Sequence, residues 1–222
     1  MTRHWLPVAA FATVAALAAM GPTRAFAEEA KAGAEPDLAR AKQLVSQVCA
    51  ACHGPDGNSP TPAYPSIAAQ PADYITVQLA HFKSGVRSNP IMQPIAATLS
   101  DADMRALGAF MAQQKARGDT AKDRNSVMVA QTLYRAGDAE TGLPACASCH
   151  GPDGAGVPKN YPRIGGQHAD YTYAQLKAFK AGERGGGEHA AKDPNGSIMA
   201  TIASRLTDAQ MKALADYTAG LR

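Results

Sequence analysis

Aromatic side chains are scarce in this sequence, making up 6% of its 222 residues and including a single tryptophan. A core built from so few large rings would be weak unless another apolar group helped to fill it. Lysine and arginine are nowhere gathered into a basic block with interleaved aromatics, so a nucleic-acid partner has no support. Alternating apolar and polar runs, which are typical of β-strands, are nearly absent. We therefore expect an all-α fold.

Cysteine is also sparse, and all four copies fall in two short stretches of the same pattern. These stretches are C-A-A-C-H, from Cys49 to His53, and C-A-S-C-H, from Cys146 to His150. C-x-x-C-H is the attachment motif of c-type haem. Two thiols three residues apart on one helical turn can both add to the vinyl groups at one porphyrin edge. The imidazole of the next residue then lies beneath the ring and binds the iron.

Three other interpretations of the cysteines compete with haem attachment: a structural disulfide, a thioredoxin-like redox pair and a four-cysteine zinc site. A redox pair does not require the adjacent histidine, and still less requires it twice. A zinc site would leave both histidines without a role, although C-x-x-C pairs do bind zinc. The motifs therefore predict two covalently bound haem c groups, on Cys49 and Cys52 and on Cys146 and Cys149. Two buried porphyrins would also supply the apolar area that the aromatics lack.

Long apolar runs are missing after the N-terminus. There, Arg3 and His4 precede an apolar segment over residues 6–20, and Ala25-Phe26-Ala27 forms an A-x-A cleavage site. Fifteen residues is short for a membrane span, so a signal peptide is favoured over a retained anchor. We expect cleavage after Ala27 and a periplasmic mature chain that is soluble or at most peripheral at a membrane surface.

The sequence repeats itself at an interval of 97 residues. The matching positions are Tyr64-Pro65 with Tyr161-Pro162, Ile67 with Ile164, Gln70 with Gln167, Asp73-Tyr74 with Asp170-Tyr171, Gln78 with Gln175, and Phe82 with Phe179. After Arg87 and Arg184 the interval becomes 107, because the second half carries ten extra residues within 185–197. The repeat predicts a first domain over 28–118 and a second over 119–222, joined by a polar linker near 115–126.

Each copy is predicted to contain three helices connected by long loops. The first covers about 38–51 or 127–135, and the middle helix covers about 72–84 or 169–181, closed by Gly85 or Gly182. The last begins at Ser100 or Thr207, with Asp103 or Gln210 three residues later, which is capping-box spacing. Met104 and Met111 lie on this last helix in one apolar stripe with Leu107 and Gly108, and Met211 repeats the position of Met104. These methionines are interpreted as core residues.

The second axial ligand of each iron is predicted to be a methionine from the segment before the last helix. Met92 and Met199 are related by the repeat and are expected in irregular loops, from which a side chain can cross the distal face of the haem. His189, within the ten-residue insertion, is the alternative ligand for the second iron. Coordination by histidine (His53, His150) and methionine raises the reduction potential, which suits an electron carrier.

The two halves together resemble the cytochrome c4 family, periplasmic dihaem carriers built from two class I cytochrome c domains. The resemblance covers residues 38–222 and combines C-x-x-C-H-G-P-D-G, Tyr-Pro-x-Ile, Gln-x-x-Asp-Tyr, Gln-Leu-x-x-Phe-Lys and a methionine before the last helix. It implies that the carbonyl groups of Pro65 and Pro162 accept the Nδ1–H of the haem histidines. It also implies that Ile67 and Ile164 contact the haem edges, and that the haems face each other across the domain interface.

Two differences between the halves modify this expectation. Arg163 follows Pro162, whereas Ser66 holds the equivalent place in the first half. The family's geometry would put Arg163 within reach of a haem propionate, where a cation favours the reduced iron, so the second haem is expected to have the higher potential. The first half has Ala69 where the second has Gly166, which leaves the local turn there open.

Three functions are compatible with two such domains. The first is a non-enzymatic carrier of single electrons, without a small-molecule substrate, between a quinol-oxidising complex or dehydrogenase and a terminal oxidase. The second is the cytochrome subunit of a dehydrogenase complex, such as a flavocytochrome. The third is a dihaem peroxidase, which needs one iron with an open distal site, and the paired methionines argue against it. Nothing in the sequence separates the first function from the second.

Overall fold

The computed structural model describes residues 1–2, 35–157 and 161–222, and the predicted signal peptide beyond residue 2, with its cleavage site, lies outside these ranges. Residues 36–222 form one compact unit. In the described ranges the backbone is helical, and β-pairing is limited to two isolated bridges. The all-α fold class is therefore confirmed. None of the described helices has both the length and the apolar character needed to cross a bilayer.

The first half begins with a helix that changes its winding immediately before the haem motif. Its helices are α1 (Leu38–Leu44), α2 (Ala50–His53), α3 (Ala72–Ser84), α4 (Met92–Ala97) and α5 (Asp101–Ala112). A π-helical segment, Val45–Cys49, joins α1 to α2, and the Ala50 amide donates to the Val45 carbonyl five residues back. The predicted first helix is thus present, but it contains one widened turn.

The second half repeats this order with a longer connection into its fourth helix. Its helices are α6 (Val127–Ala136), α7 (Ala147–His150), α8 (Ala169–Lys180), α9 (Pro194–Ser204) and α10 (Asp208–Ala219). Part of the ten-residue insertion forms a short 3₁₀ turn, Gly187–His189. A loop separates α6 from the second haem motif, as predicted.

The prediction that Met92 and Met199 lie in irregular loops is wrong. Met92 is the first residue of α4, and Met199 lies within α9, so both residues belong to helices that were not predicted. The carboxamide oxygen of Asn89 accepts the Met92 amide at 2.9 Å, which starts α4. The Asp193 carboxylate accepts the Gly196 amide at 2.9 Å and caps α9. These hydrogen bonds satisfy backbone amides at the start of each helix, although the nearby prolines had suggested irregular loops.

The predicted helix ends are otherwise confirmed where side-chain chemistry specifies them. Ser100 and Asp103 form a reciprocal capping box at the start of α5, and Thr207 and Gln210 form one at the start of α10. Gly85 ends α3 in the left-handed conformation, with a φ of +78°.

The core of each half lies between its middle and last helices. In the first half α3 packs on α5, and a Cβ atom at Gly108 would come within 2.4 Å of the Ala72 carbonyl oxygen. Met104 and Met111 of α5 are fully buried in this core, as the helical spacing predicted. In the second half α10 packs on α8 and α6, with Met211 buried in the same way.

The polar connection between the halves is bound to both of them. The Arg117 guanidinium donates to Asp56 of the first half at 2.6 Å. Two residues later, the Asp119 amide donates to the Gly166 carbonyl of the second half at 3.0 Å. These bonds hold the predicted linker against the two halves rather than leaving it as a loose tether.

Candidate haem sites

The first haem motif lies at the end of the widened helix. Cys49 is the last residue of the π-helical segment, and Cys52 and His53 belong to α2. Both cysteines are free and partly buried. Gly54 follows with a φ of +76°, and a Cβ atom there would come within 2.3 Å of the Asn58 carbonyl oxygen. The chain can therefore turn sharply below the motif only with glycine at this position.

The second motif is built in the same way around α7. Cys146 precedes this helix, and Cys149 and His150 belong to it. Burial raises the pKa of the Cys146 thiol to about 11 and also raises the pKa of Cys49. Reactive redox cysteines require a lowered pKa, because the thiolate is the nucleophile. The electrostatics of these thiols therefore disfavour the thioredoxin-like interpretation.

Both motif histidines are oriented by a proline carbonyl twelve residues away. The Nδ1 atom of His53 lies 2.8 Å from the Pro65 carbonyl oxygen, and that of His150 lies 2.9 Å from the Pro162 carbonyl oxygen. A carbonyl oxygen only accepts, so Nδ1 carries the proton and Nε2 keeps its lone pair. Burial lowers the pKa of both histidines, and the bonds to the carbonyls oppose this only in part. Each imidazole is therefore neutral with a fixed tautomer, and its Nε2 atom is able to bind a metal ion.

These features fit a covalently attached haem better than a bare metal ion. Each motif supplies two free thiols and a buried, neutral imidazole with an available Nε2. In the described ranges, no three histidine, cysteine or acidic side chains are grouped closely enough to hold a metal ion. The zinc interpretation therefore has no support in the described part of the chain.

The predicted distal methionines lie on the fourth helix of each half, Met92 at its first residue and Met199 at its sixth. Met92 and Met199 are both partly buried. His189, the alternative for the second iron, points its Nε2 atom at Glu188 across 3.6 Å. Ile67 and Ile164 are partly buried against the core of their own halves. The backbone of Arg163 contacts the first half, and its buried Nε atom has no hydrogen-bond partner among the described residues.

A pair of glutamines joins the two halves in a reciprocal arrangement. Gln70 donates to the Arg163 carbonyl at 2.6 Å and accepts the Arg163 amide at 3.0 Å. Gln167 donates to the Ser66 carbonyl at 2.7 Å and accepts the Ser66 amide at 2.9 Å. Ser66 and Arg163 each follow the proline that orients a motif histidine. The interface between the halves is therefore built directly on the two haem sites.

A pair of arginines extends the same pseudo-twofold interface. Arg87 donates to Gln78 of its own half at 2.7 Å, and to Tyr171 and Gln175 of the other half at 2.8 Å each. The bonds related to these by the pseudo-twofold axis run from Arg184 to Gln175, Tyr74 and Gln78, at 2.7, 2.9 and 3.0 Å. Each guanidinium also stacks on an aromatic ring of its own half, Phe82 at 4.6 Å and Phe179 at 4.4 Å.

These interface residues were absent from the predicted sites although a signal was present. Gln70, Tyr74, Gln78 and Arg87 are polar residues that recur in the second half outside the haem motif. Recurrence does not say, however, which residue of the other half each one meets, and the structure supplies those pairings.

Two histidines lie at the interface without pseudo-symmetry. His168 places Nδ1 3.0 Å from Asp119 and Nε2 2.9 Å from the Ser59 carbonyl oxygen of the first half. His81 of α3 lies 3.7 Å from Asp193, the residue that caps α9. The insertion of the second half therefore contacts the middle helix of the first.

Comparison with known proteins agrees with this architecture. Residues 129–221 match the family model "Cytochrome c", and residues 36–111 match "Cytochrome C oxidase, cbb3-type, subunit III". Two helical domains, each with a haem motif whose histidine is held by a proline carbonyl, define a dihaem cytochrome with two class I domains. The crystal structure of reduced recombinant cytochrome c4 from Pseudomonas stutzeri is 34% identical, with a TM-score of 0.77, and the match covers 85% of this chain and all of that one.

Relatives in sequence agree with the structural neighbour. Cytochrome c4 of Thiocapsa roseopersicina is 41% identical over 84% of this chain and 93% of that protein. The chain belongs to the cytochrome c4 family. A thiosulfate dehydrogenase electron acceptor of Thiomonas intermedia is 38% identical over 93% of this chain and 89% of that protein. The protein therefore carries two covalent haem c groups, on Cys49 and Cys52 and on Cys146 and Cys149, and exchanges electrons with redox protein partners.

Proposed function

We propose that this protein carries single electrons in the periplasm from a quinol-oxidising complex or a dehydrogenase to a terminal oxidase, with no enzymatic activity of its own. The observation that carries the proposal is the equivalence of the two sites. Both histidines have the same tautomer and the same carbonyl partner, at 2.8 and 2.9 Å. A peroxidase requires one iron to keep an open position for its substrate, and the recurrence of a methionine on the fourth helix of both halves, Met92 and Met199, argues against it.

In this proposal His53 and Met92 ligate the first iron, and His150 and Met199 ligate the second. Ile67 and Ile164 supply apolar contacts at the haem edges. Each haem, when bound, supplies a one-electron Fe(III)/Fe(II) couple whose potential is raised by methionine coordination. The protein's part is to fix the histidine tautomer and to exclude water, since both histidines are buried.

The proposed mature chain begins at residue 28, after export and cleavage following Ala27. Its first domain covers 28–118 and its second covers 119–222, with the segment 115–126 between them. Covalent haem attachment in bacteria takes place outside the cytoplasm, so export and the cofactor are consistent with each other.

The second haem is proposed to have the higher potential and to collect the electron after it enters through the first. Arg163 supports this order, because its buried Nε atom has no partner among the described residues and can donate to a propionate. A cation at that place favours the reduced iron. Two charges at partly hydrated range interact by about 1 to 4 kcal/mol, so the difference between the haems should be modest.

A dehydrogenase is the electron donor that a specific observation favours. The relative from Thiomonas intermedia, similar over 93% of this chain, is named for accepting electrons from thiosulfate dehydrogenase. A subunit held permanently in a dehydrogenase complex remains the alternative to a free carrier. The two arrangements differ in whether the isolated protein exchanges electrons by collision.

Apolar side chains beside the proposed distal ligands offer a place for that collision. Ile91 and Ile198 precede Met92 and Met199, and each is 47% exposed. Since both recur at equivalent positions, each half presents the same kind of contact to a redox partner. Met128 on α6 is more exposed, at 71%, but it does not adjoin a proposed distal ligand, so it serves as a control.

The experiment that tests the proposal follows the α-band of the reduced holoprotein after mixing with bacterial membranes that contain a cytochrome oxidase. We expect both haems to be reoxidised, and the rate to fall in Ile91→Lys and Ile198→Lys but not in Met128→Lys. A second arm adds thiosulfate dehydrogenase with thiosulfate to the oxidised protein and looks for reduction. Continuous oxidation of the protein by hydrogen peroxide, with no response to membranes, would contradict the proposal and favour a peroxidase.

A further inference from the structure

The peptide group between Pro65 and Ser66 is hydrogen-bonded at both of its ends. Its carbonyl oxygen lies 2.8 Å from Nδ1 of His53. Its amide, on Ser66, donates at 2.9 Å to the side-chain oxygen of Gln167, which belongs to the other half. A continuous chain of hydrogen bonds therefore runs from Gln167 through one peptide to the imidazole of His53.

The second haem site has an equivalent chain of hydrogen bonds, in which the two halves exchange roles. The Pro162 carbonyl oxygen lies 2.9 Å from Nδ1 of His150. The amide of the same peptide, on Arg163, donates at 3.0 Å to the side-chain oxygen of Gln70. Each half thus ends the hydrogen-bond chain of the other half's haem histidine.

The orientation of each glutamine is fixed by its second bond. The Nε2 atom of Gln167 donates to the Ser66 carbonyl at 2.7 Å, and that of Gln70 donates to the Arg163 carbonyl at 2.6 Å. Because a carbonyl oxygen cannot donate, the amide nitrogen must face it, and the amide oxygen must face the backbone N–H. Gln70 is 6% exposed and Gln167 is 7% exposed, so water does not readily replace either of them.

Hydrogen bonds in a chain polarise one another, strengthening each bond by roughly 10–30%. An acceptor on the amide makes the carbonyl of the same peptide more negative. The carbonyl then attracts the imidazole Nδ1–H more strongly, and the imidazole becomes more electron-rich at Nε2. A more electron-rich ligand stabilises the ferric over the ferrous state and lowers the reduction potential.

We infer that Gln167 and Gln70 are positioning residues that set the reduction potential of the haem in the opposite half. The inference rests on the proposed histidine ligands and extends the proposed function by one step: the potential of each haem depends on a residue of the other domain. Domain docking and haem potential are therefore coupled, since separating the halves removes both acceptors at once.

The two chains are not equally strong. The side-chain oxygen of Gln167 also accepts the His168 amide at 3.0 Å, so it is shared between two donors. Among the residues that the structure describes, the oxygen of Gln70 has one donor, the Arg163 amide. We expect the effect of Gln70 on the second haem to exceed that of Gln167 on the first.

The test measures both reduction potentials in the dihaem holoprotein with Gln167→Leu and Gln70→Leu. Gln167→Leu should raise the potential of the haem on Cys49 and Cys52, and Gln70→Leu should raise that of the haem on Cys146 and Cys149. At a fixed applied potential, the ratio of reduced to oxidised haem should rise about 1.5- to 3-fold. This corresponds to roughly 10 to 30 mV, because a tenfold change in a one-electron couple is 59 mV. The waves are assigned by combining each change with Met92→His or Met199→His.

A matched control and a second readout separate this effect from a loss of docking. Tyr171→Phe removes an inter-domain bond from Arg87 but touches neither peptide, and it should leave both potentials in place. In proton NMR of the reduced protein, the Nδ1–H of His53 should move upfield in Gln167→Leu, while that of His150 stays unchanged.

Three results would overturn the inference: a shift confined to the haem of the mutated half, equal shifts of both haems, or no shift. A wild-type ferric spectrum without the methionine–iron band would overturn Met92 and Met199 as ligands instead. The crossed shifts would remain measurable in that case, because they depend on the histidines alone.

Discussion

The guanidinium of Arg87 in the first half donates to the hydroxyl of Tyr171 in the second half at 2.8 Å. The equivalent bond on the other side of the pseudo-twofold axis runs from Arg184 to Tyr74 at 2.9 Å. Burial raises the pKa of Tyr74, but the positive charges of Arg184 and Arg87 outweigh burial, and the net shift is downward. The Tyr74 hydroxyl therefore lies in a positive environment to which arginines of both halves contribute.

We predict that Tyr171→Phe destabilises the holoprotein by about 1 to 2 kcal/mol, because it leaves a buried guanidinium with one acceptor fewer. The measurement is denaturant unfolding of Tyr171→Phe, Arg87→Met and the double variant. The double variant should be less destabilised than the sum of the single variants, since both remove the same bond. Strict additivity would show that the contact contributes nothing across the interface.

A second prediction concerns Ala69, which has a φ of +57° and alone among the described non-glycine residues has a positive value. Its counterpart Gly166 has a φ of +75°, so both halves make the same left-handed turn. The left-handed conformation costs a residue with a Cβ atom about 1 to 2 kcal/mol. A glycine at this position would avoid that cost, but it would lose about 0.5 to 1 kcal/mol through the greater entropy of glycine in the unfolded chain.

Ala69→Gly should therefore stabilise the protein by about 0.5 to 1 kcal/mol, measured as a higher unfolding midpoint. The matched control is Gly166→Ala, whose Cβ atom would come within 2.7 Å of Gly118. It should destabilise the protein by more than the first change stabilises it. A lower midpoint for Ala69→Gly would show that Ala69 makes contacts that outweigh its strain.

The turn at Ala69 illustrates what the sequence could predict and what it could not. Repetition identified Ala69 and Gly166 as equivalent, but only the structure shows that alanine accepts the conformation. The capping boxes and the haem motifs were predictable because their chemistry is local, with partners three or four residues apart. Helix α4 was missed because Pro90 and Pro94 suggested a loop, yet a proline in a first helical turn has no amide to satisfy.

The inter-domain pairs could not be predicted for a different reason. Gln70 meets residue 163, and Arg87 meets residue 171, so the partners are separated by 93 and 84 positions. No local pattern reports such a distance. The repeat implies that both halves use these residues alike, but a pseudo-twofold contact depends on how two finished domains fit together.

A third prediction follows from His81 at the same interface. Burial lowers the pKa of His81 below its usual value of 6.5; Arg184 and Arg87 act in the same direction, and Asp193 opposes them. As the pH falls below about 6.5, the unfolded chain therefore takes up a proton on His81 more readily than the folded protein does. Since the unfolded state then binds more protons, stability is lost as the pH decreases through this range.

Urea unfolding at pH 7.5 and pH 5.5 measures this loss. The wild-type holoprotein should be less stable at the lower pH, and His81→Gln should lose less stability between the two values, because it has no proton to gain. Equal losses in the wild type and the variant would show that His81 does not contribute to acid sensitivity.

The measurement that tests the central claim most directly is the ferric absorption spectrum of the holoprotein in the near infrared. An electron carrier with both irons closed by Met92 and Met199 should show the weak methionine–iron band at an intensity corresponding to two haems. Met92→His and Met199→His should each remove half of it. A high-spin signal equivalent to one haem at neutral pH would contradict the account, since an iron with an open distal site belongs to a peroxidase and not to a carrier.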